Sequence, residues 1–211
     1  MKDLILVGKQ GSGKGTQAKI LAKRFGYHIF ETGAALRAIA QKPSPLGQKV
    51  KAITTRGDLV PNEIVMEIVH DFLQEIPGDT PVIFDGIPRS EEQRQTLENL
   101  FSVLGRDFRV LEIRLSNEEA MERLMMRARC NDCGLDFGSV EDECPRCGSF
   151  DIFRREDDNP ESIAKRLENF DRYTAPLLSV WEKEGKVVSV NGEQEIGKVT
   201  EEMFEKLKAK E

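Results

Sequence analysis

The chain has 211 residues, 39% of them apolar and 32% charged, with a net charge of −6: enough for one substantial α/β domain with insertions and a sizeable core. The acidic balance argues against non-specific nucleic-acid binding, because phosphate backbones select basic faces, but it leaves room for a nucleotide site with local positive charge. No apolar run approaches membrane-spanning length and no targeting segment is visible, so a cytoplasmic protein is expected, with neither nucleic acid nor membrane as partner.

In chain order, residues 4–7 (Leu-Ile-Leu-Val) read as a short buried strand, and apolar residues then recur at helical spacing from Lys14 to Phe25, with Gly26 as the stop. Between them lies Gly8-Lys9-Gln10-Gly11-Ser12-Gly13-Lys14, which fits the spacing G-x-x-x-x-G-K. A loop poor in β-carbons lets successive backbone N–H groups converge on one point. The helix N-terminus adds partial positive charge there and Lys14 a full one, which makes a phosphate cradle. The position after Lys14, often Ser or Thr, is Gly15, and the hydroxyl follows at Thr16.

Further strands are expected at residues 27–30, 82–84, 110–115 and 187–190, separated by helical segments. Ser116 and Glu119 read as a capping box opening a helix that runs to about Ala128. Asn159-Pro160-Glu161 opens another, and a last helix covers residues 195–208. This alternation predicts an α/β fold, a doubly wound five-stranded parallel sheet with the phosphate loop after its first strand. Two segments break the rhythm: residues 31–60, with short helical pieces around Lys42-Pro43-Ser44-Pro45, and residues 127–159, which hold every cysteine. Both read as insertions on a core of residues 1–30, 61–126 and 160–211, and insertions beside a site often act as lids.

The cysteines form two C-x-x-C pairs, Cys130/Cys133 and Cys144/Cys147, each followed by glycine (Gly134, Gly148) and separated by ten residues. That pattern reads as a tetrahedral thiolate site for structural zinc, in a segment too poor in apolar residues to fold alone. Asp85, after the third strand, is placed to hold hydrated Mg²⁺ on phosphates, and Arg89 follows four residues later as a clamp for a second phosphate. Arg123 and Arg127, four apart, are expected on one helix face; Arg154, Arg155 and Arg166 lie beyond the cysteines. Phosphoryl transfer between two polyanions calls for such planar, permanently charged donors on both sides of a lid.

Taken together, Gly8–Gln17, Thr32-Gly33 with Leu36-Arg37, Gly57-Asp58-Leu59-Val60-Pro61, Asp85-Gly86-Ile87-Pro88-Arg89 with Gln93, Glu122-Arg123-Leu124, Arg155 with Asp157-Asp158-Asn159, and Arg166-Leu167 resemble the adenylate kinases of the bacterial long-lid type with a zinc-bearing lid. The resemblance covers essentially the whole chain. It implies reversible, Mg²⁺-dependent transfer from ATP to AMP giving two ADP, in line and without a covalent intermediate, in a monomer. By the same resemblance Gly11, Ser12, Gly13, Lys14, Gly15 and Thr16 hold the ATP phosphates, and Arg123 and Arg127 grip ATP from the lid, Arg123 near the adenine. Arg37, Arg89 and Arg166 take the AMP phosphate, with Arg155 bridging to the transferred group. Thr32, Gly33, Val60, Gly86 and Gln93 belong to the AMP site, Asp85 organises magnesium, and Cys130, Cys133, Cys144 and Cys147 hold zinc.

Four positions depart from the family pattern. Gln10 stands where proline is usual, Ile87 where phenylalanine is usual, and Met125-Met126-Arg127-Ala128 where a small residue and paired arginines are usual at the lid hinge. Glu31-Thr32-Gly33-Ala34 replaces Ser-Thr-Gly-Asp, so an acid beside Arg37 is missing and another stands three residues earlier, where it is expected to cap the following helix. Two rival functions are a kinase for UMP or CMP and a zinc-ribbon NTPase that binds nucleic acid. Gln93 favours adenine, since an amide pairs with both a ring acceptor and an exocyclic donor. A nucleic-acid ribbon needs basic and aromatic residues. This one carries Asp132, Asp136, Glu141, Asp142 and Glu143 against Arg146, with Phe137 alone as an aromatic.

Overall fold

The computed structural model describes residues 2–138 and 143–208; Glu141 and Asp142 of the acidic ribbon lie outside them. Five strands, β1 (Asp3–Val7), β2 (His28–Glu31), β3 (Val82–Asp85), β4 (Phe108–Arg114) and β8 (Val187–Asn191), form one parallel sheet in the order β2-β3-β1-β4-β8. Both faces of a parallel sheet are covered, so its strands are apolar on both sides. Ile5, Val7, Val82, Phe84 and Val110 face one core, and Leu4, Leu6, Ile83, Leu111 and Ile113 face the other, as a period of two requires. At the bottom of the sheet Arg106 grips both carboxylate oxygens of Asp3, whose Oδ1 also accepts the Val82 N–H, tying β1 to β3.

Two strands begin or end differently from the apolar runs. β4 starts at Phe108, two residues before Val110, because parallel pairing with β1 runs from Asp3↔Phe108 to Val7↔Glu112. β2 runs to Glu31 because its register with β3 extends to Glu31↔Asp85. Helix α1 (Lys14–Phe25) ends as expected at Gly26, with φ of 75° and its N–H on the Ala22 carbonyl.

The 31–60 segment folds as α2 (Thr32–Ala40) and α3 (Pro45–Thr55), the latter capped by Ser44 with proline at its first turn. Next come α4 (Asn62–Glu75) and α5 (Glu91–Val103), then α6 (Asn117–Met126), which packs with α7 (Pro160–Asn169) around Leu115, Ala120, Leu124, Ile163 and Leu167. That third cluster seats both ends of the second insertion. A π-helical turn (Phe170–Thr174), α8 (Ala175–Lys183) and α9 (Ile196–Lys208) complete the core. The insertion itself is a small antiparallel sheet, β5 (Arg127–Cys130) between β6 (Asp136–Gly138) and β7 (Ile152–Phe153).

The sheet corrects one expectation. α6 stops at Met126 and not near Ala128, so Arg123 and Arg127 do not share a helix face. Residue Arg127 is extended, with φ of −65° and ψ of 129°, because β5 must pair Arg127↔Gly138 and Ala128↔Phe137. Only half of the expected capping box forms as well. Ser116 Oγ accepts the Glu119 N–H, but the Ser116 N–H donates to Glu193, while Glu119 turns to Arg123.

Candidate active site between core, insertion and lid

The loop after β1 leaves the carboxyl end of the sheet, where an open α/β fold binds ligands. A methyl group on Gly8 would sit 2.5 Å from the Ile113 carbonyl oxygen and 2.8 Å from Ser12 Oγ, so only glycine lets the loop pass β4 this closely. Gly13 precedes α1 with φ of 90°, a left-handed turn that aims the free N–H groups of the first turn into the loop. Lys14 folds back over it, donating to the carbonyls of Gly8 at 2.7 Å and Lys9 at 2.8 Å. Burial, offset only in part by the attraction of Asp85 and reinforced by Arg89 and Arg127, lowers the Lys14 ammonium to about 8.

β1 and β3 are neighbours with Leu6↔Asp85 in register, so the loop and the Asp85–Arg89 turn lie side by side. Arg89 is held at three points. Its Nε donates to the Gly86 carbonyl, its backbone N–H donates to Gln93 Oε1, and its carbonyl accepts the Thr174 hydroxyl. Burial lowers its pKa while Asp85 opposes that shift. Arg37, on α2, makes no ion pair among the described residues; burial, and after it the nearby Arg155, brings it down to about 10.

Lid arginines are aimed by carboxylates. Asp158, 2% exposed at its side chain, accepts two bonds from Arg127 and one from Arg166. Burial opposes ionisation of Asp158, but the two guanidinium groups outweigh it and hold the carboxyl below its ordinary value. Arg166 also bonds Asp157 through Nη1 and Nη2, and Arg155 bonds both oxygens of Asp136. Arg123 reaches the Gly192 carbonyl at 2.9 Å, linking α6 to the end of β8. Arg154 instead donates to the Met125 carbonyl at the hinge.

These groups surround one cavity of about 1250 Å³. Gly11, Gly13, Lys14, Gly15, Thr16, Gly33, Arg37, Asp85, Gly86, Arg89, Arg123, Arg127, Arg155 and Arg166 all line it, from the loop, the first insertion, the lid and α7. Ser12, Thr32, Val60 and Gln93 are buried and do not line it. Thr32 packs behind Gly86, its hydroxyl buried without a hydrogen-bond partner among the described residues. Gln93 already commits its carbonyl to Arg89.

Sequence spacing missed Asp136, Thr174 and Gly192 as partners of site residues. No local signal could have found them, since Gly192 lies 69 residues from Arg123 and Thr174 lies 85 from Arg89. Glu31 corrects another expectation. It stands at the N-cap of α2 but makes no capping bond; its carboxylate turns into the cavity.

The four cysteine sulfurs lie within 4.8 Å of one another, with Cys130–Cys147 at 3.6 Å and Cys133–Cys144 at 3.5 Å. Four thiolates about 2.3 Å from a tetrahedral ion sit about 3.8 Å apart, so the cluster suits a closed metal site. Gly134 and Gly148, with φ of 66° and 70°, close each knuckle by donating to the carbonyls of Cys130 and Cys144.

The description "Adenylate kinase" belongs to the family model that matches residues 6–186. An adenylate kinase of Caldicellulosiruptor bescii is 37% identical over 97% of this chain and 98% of its own length. Those of Syntrophotalea carbinolica and of a Geobacillus species are each 36% identical over 97% of this chain, covering 97% and 98% of their own lengths. The chain belongs to the adenylate kinase family. Within that family its kinase core, phosphate loop and four-cysteine lid are those of the long-lid type. No described helix is long and apolar enough to cross a membrane.

Proposed function

We propose that the chain catalyses reversible phosphoryl transfer from ATP to AMP, giving two ADP, at the cavity between phosphate loop, insertion and lid. The observation that carries this reading is the convergence of Lys14, Arg37, Arg89, Arg123, Arg127, Arg155 and Arg166 on that one cavity in a chain whose net charge is −6. Two polyphosphate-bearing substrates need this local excess of fixed donors, and phosphoryl transfer needs little else beyond positioning.

In this reading Lys14 exchanges its carbonyl partners in the loop for donor phosphates, whose other oxygens take the N–H groups from Gly11 to Thr16, Ser12 included. Arg123 and Arg127 hold ATP from the lid side. Arg37, Arg89 and Arg166 hold the acceptor phosphate, and Arg155 reaches the group in transfer. Thr32, Gly33, Val60, Gly86 and Gln93 form the acceptor nucleoside site. Asp85, beside the loop, would accept hydrogen bonds from the water of a bound Mg²⁺ ion, which would supply charge neutralisation. Residues 31–60 and 127–159 close as two insertions on the core and exclude water, which otherwise competes with AMP as acceptor. Cys130, Cys133, Cys144 and Cys147 would hold a zinc ion that staples the lid, and the enzyme works as a cytoplasmic monomer.

Purified protein mixed with MgATP and each nucleoside monophosphate tests this directly. ADP should form from AMP far faster than ATP is hydrolysed alone, and Lys14→Ala or Arg89→Ala should slow transfer by about 10²–10⁵. Equal rates with UMP, or ATP hydrolysis indifferent to the acceptor, would overturn the assignment.

A further inference from the structure

Acids lining the cavity are, with few exceptions, neutralised by a neighbour. Glu119 pairs with Arg123, Asp136 with Arg155, Glu156 with Lys51, Asp157 with Arg166 and Asp58 with Arg56. Glu122 lines it too but is exposed on α6. Glu31 and Asp85 differ: among the described residues neither makes an ion pair or a side-chain hydrogen bond.

These two carboxylates also belong together. They are register partners at the carboxyl ends of β2 and β3. A methyl group built on Gly15 would lie 3.7 Å from Asp85 Oδ2 and 4.0 Å from Glu31 Oε1, so both flank the residue that follows the phosphate-loop lysine. Like charges placed opposite one another on adjacent strands repel. Lys14 attracts Asp85, but its ammonium is spent on the loop carbonyls and reaches neither acid. Glu31 has a local alternative, the uncapped N–H groups of α2, and does not take it. Position 34, where the family pattern has its acid, carries only a methyl group.

We propose that Glu31 is a positioning residue for the divalent cation that accompanies the donor phosphates, acting with Asp85 as the second carboxylate that accepts from the cation's bound water. A hard, strongly hydrated cation keeps several waters beside phosphates, and carboxylates at that distance orient those waters without entering its first shell. The inference rests on the proposed nucleotide reading of the cavity.

The test uses Mn²⁺ as the probe, with ATP and without AMP, followed by water-proton relaxation in the parent, Glu31→Gln and Glu31→Asp. Glu31→Gln should weaken Mn²⁺ binding to the protein–ATP complex roughly tenfold, the lower end of what an outer-shell partner costs. ATP affinity measured in chelator should stay the same or rise, because a negative charge has left the cavity. Glu31→Asp should recover part of the loss, and it carries the test alone if the glutamine variant does not fold. Unchanged Mn²⁺ affinity in Glu31→Gln, or an equal fall in metal-free ATP affinity, overturns the proposal. The parent's conversion of AMP with MgATP separates the two failures. A parent inactive on AMP sinks the nucleotide reading, whereas an active parent with a cation-indifferent variant sinks only the role of Glu31.

Discussion

Lys14 is held below its ordinary ionisation range by burial, and that predicts a proton taken up when ATP binds. Burial is the larger cause and Asp85 opposes it, leaving the ammonium at about 8 against an ordinary 10.5. Arriving phosphates bring several negative charges to the ammonium and favour its charged form, so the pKa rises on binding. At pH 8 about half of the empty sites carry a neutral Lys14, so saturation should draw in about 0.5 proton per ATP; at pH 7 the figure falls to about 0.1. The nucleotide's own terminal phosphate is almost fully ionised at pH 8 and so contributes little there. Calorimetric titration with Mg-free ATP in two buffers of different ionisation enthalpy reads this number. Uptake should vanish in Lys14→Met. Proton release at pH 8, or uptake that persists in that variant, would refute the reasoning. The same shift has a sign in stability: between about 8 and 10.5 the unfolded chain binds more protons than the native one at this lysine. The ligand-free parent should therefore gain on Lys14→Met as pH rises through that window, seen as a closing gap in denaturation midpoints.

Other consequences are simpler to state. Asp158→Asn leaves Arg127 and Arg166 without their shared buried carboxylate, and chemical denaturation should show a loss of about 3–5 kcal/mol. Because the Asp158 pKa is depressed, its stabilisation is complete above the ordinary carboxylate range and is lost as pH falls through its lowered value; acid unfolding of the variant should be correspondingly flatter. Metal analysis should find about one zinc per chain, and a chelator should lower the melting temperature and loosen the lid before it slows phosphoryl transfer. Free titration of all four thiols without metal release contradicts that. Arg37 has no ion-pair partner among the described residues, and Ala34 lies three residues before it on α2. Ala34→Asp should lower KM for AMP by the few-fold that an ion pair of about 0–1 kcal/mol supplies and leave KM for ATP nearly unchanged; a parallel change in both counts against it.

What the sequence determined by itself rests on short-range physics. The phosphate loop follows from glycine spacing, because backbone clearance is decided within a few residues of Gly8 and Gly13. The caps at Ser116 and Asn159, the stop at Gly26 and the two cysteine knuckles follow for the same reason, and the alternation of apolar runs sufficed for a parallel sheet. Tertiary structure alone decided the rest. α6 ends at Met126 because β5 must pair with β6, although its residues favour another turn of helix. Asp136 aims Arg155, Gly192 anchors Arg123, and Thr174 holds Arg89, choices made across the cavity by packing that no spacing encodes. Glu31 shows the division most plainly. Its place at the start of α2 predicts a helix cap, whereas the register of β2 on β3 sets it opposite Asp85 and turns its carboxylate toward the phosphate loop.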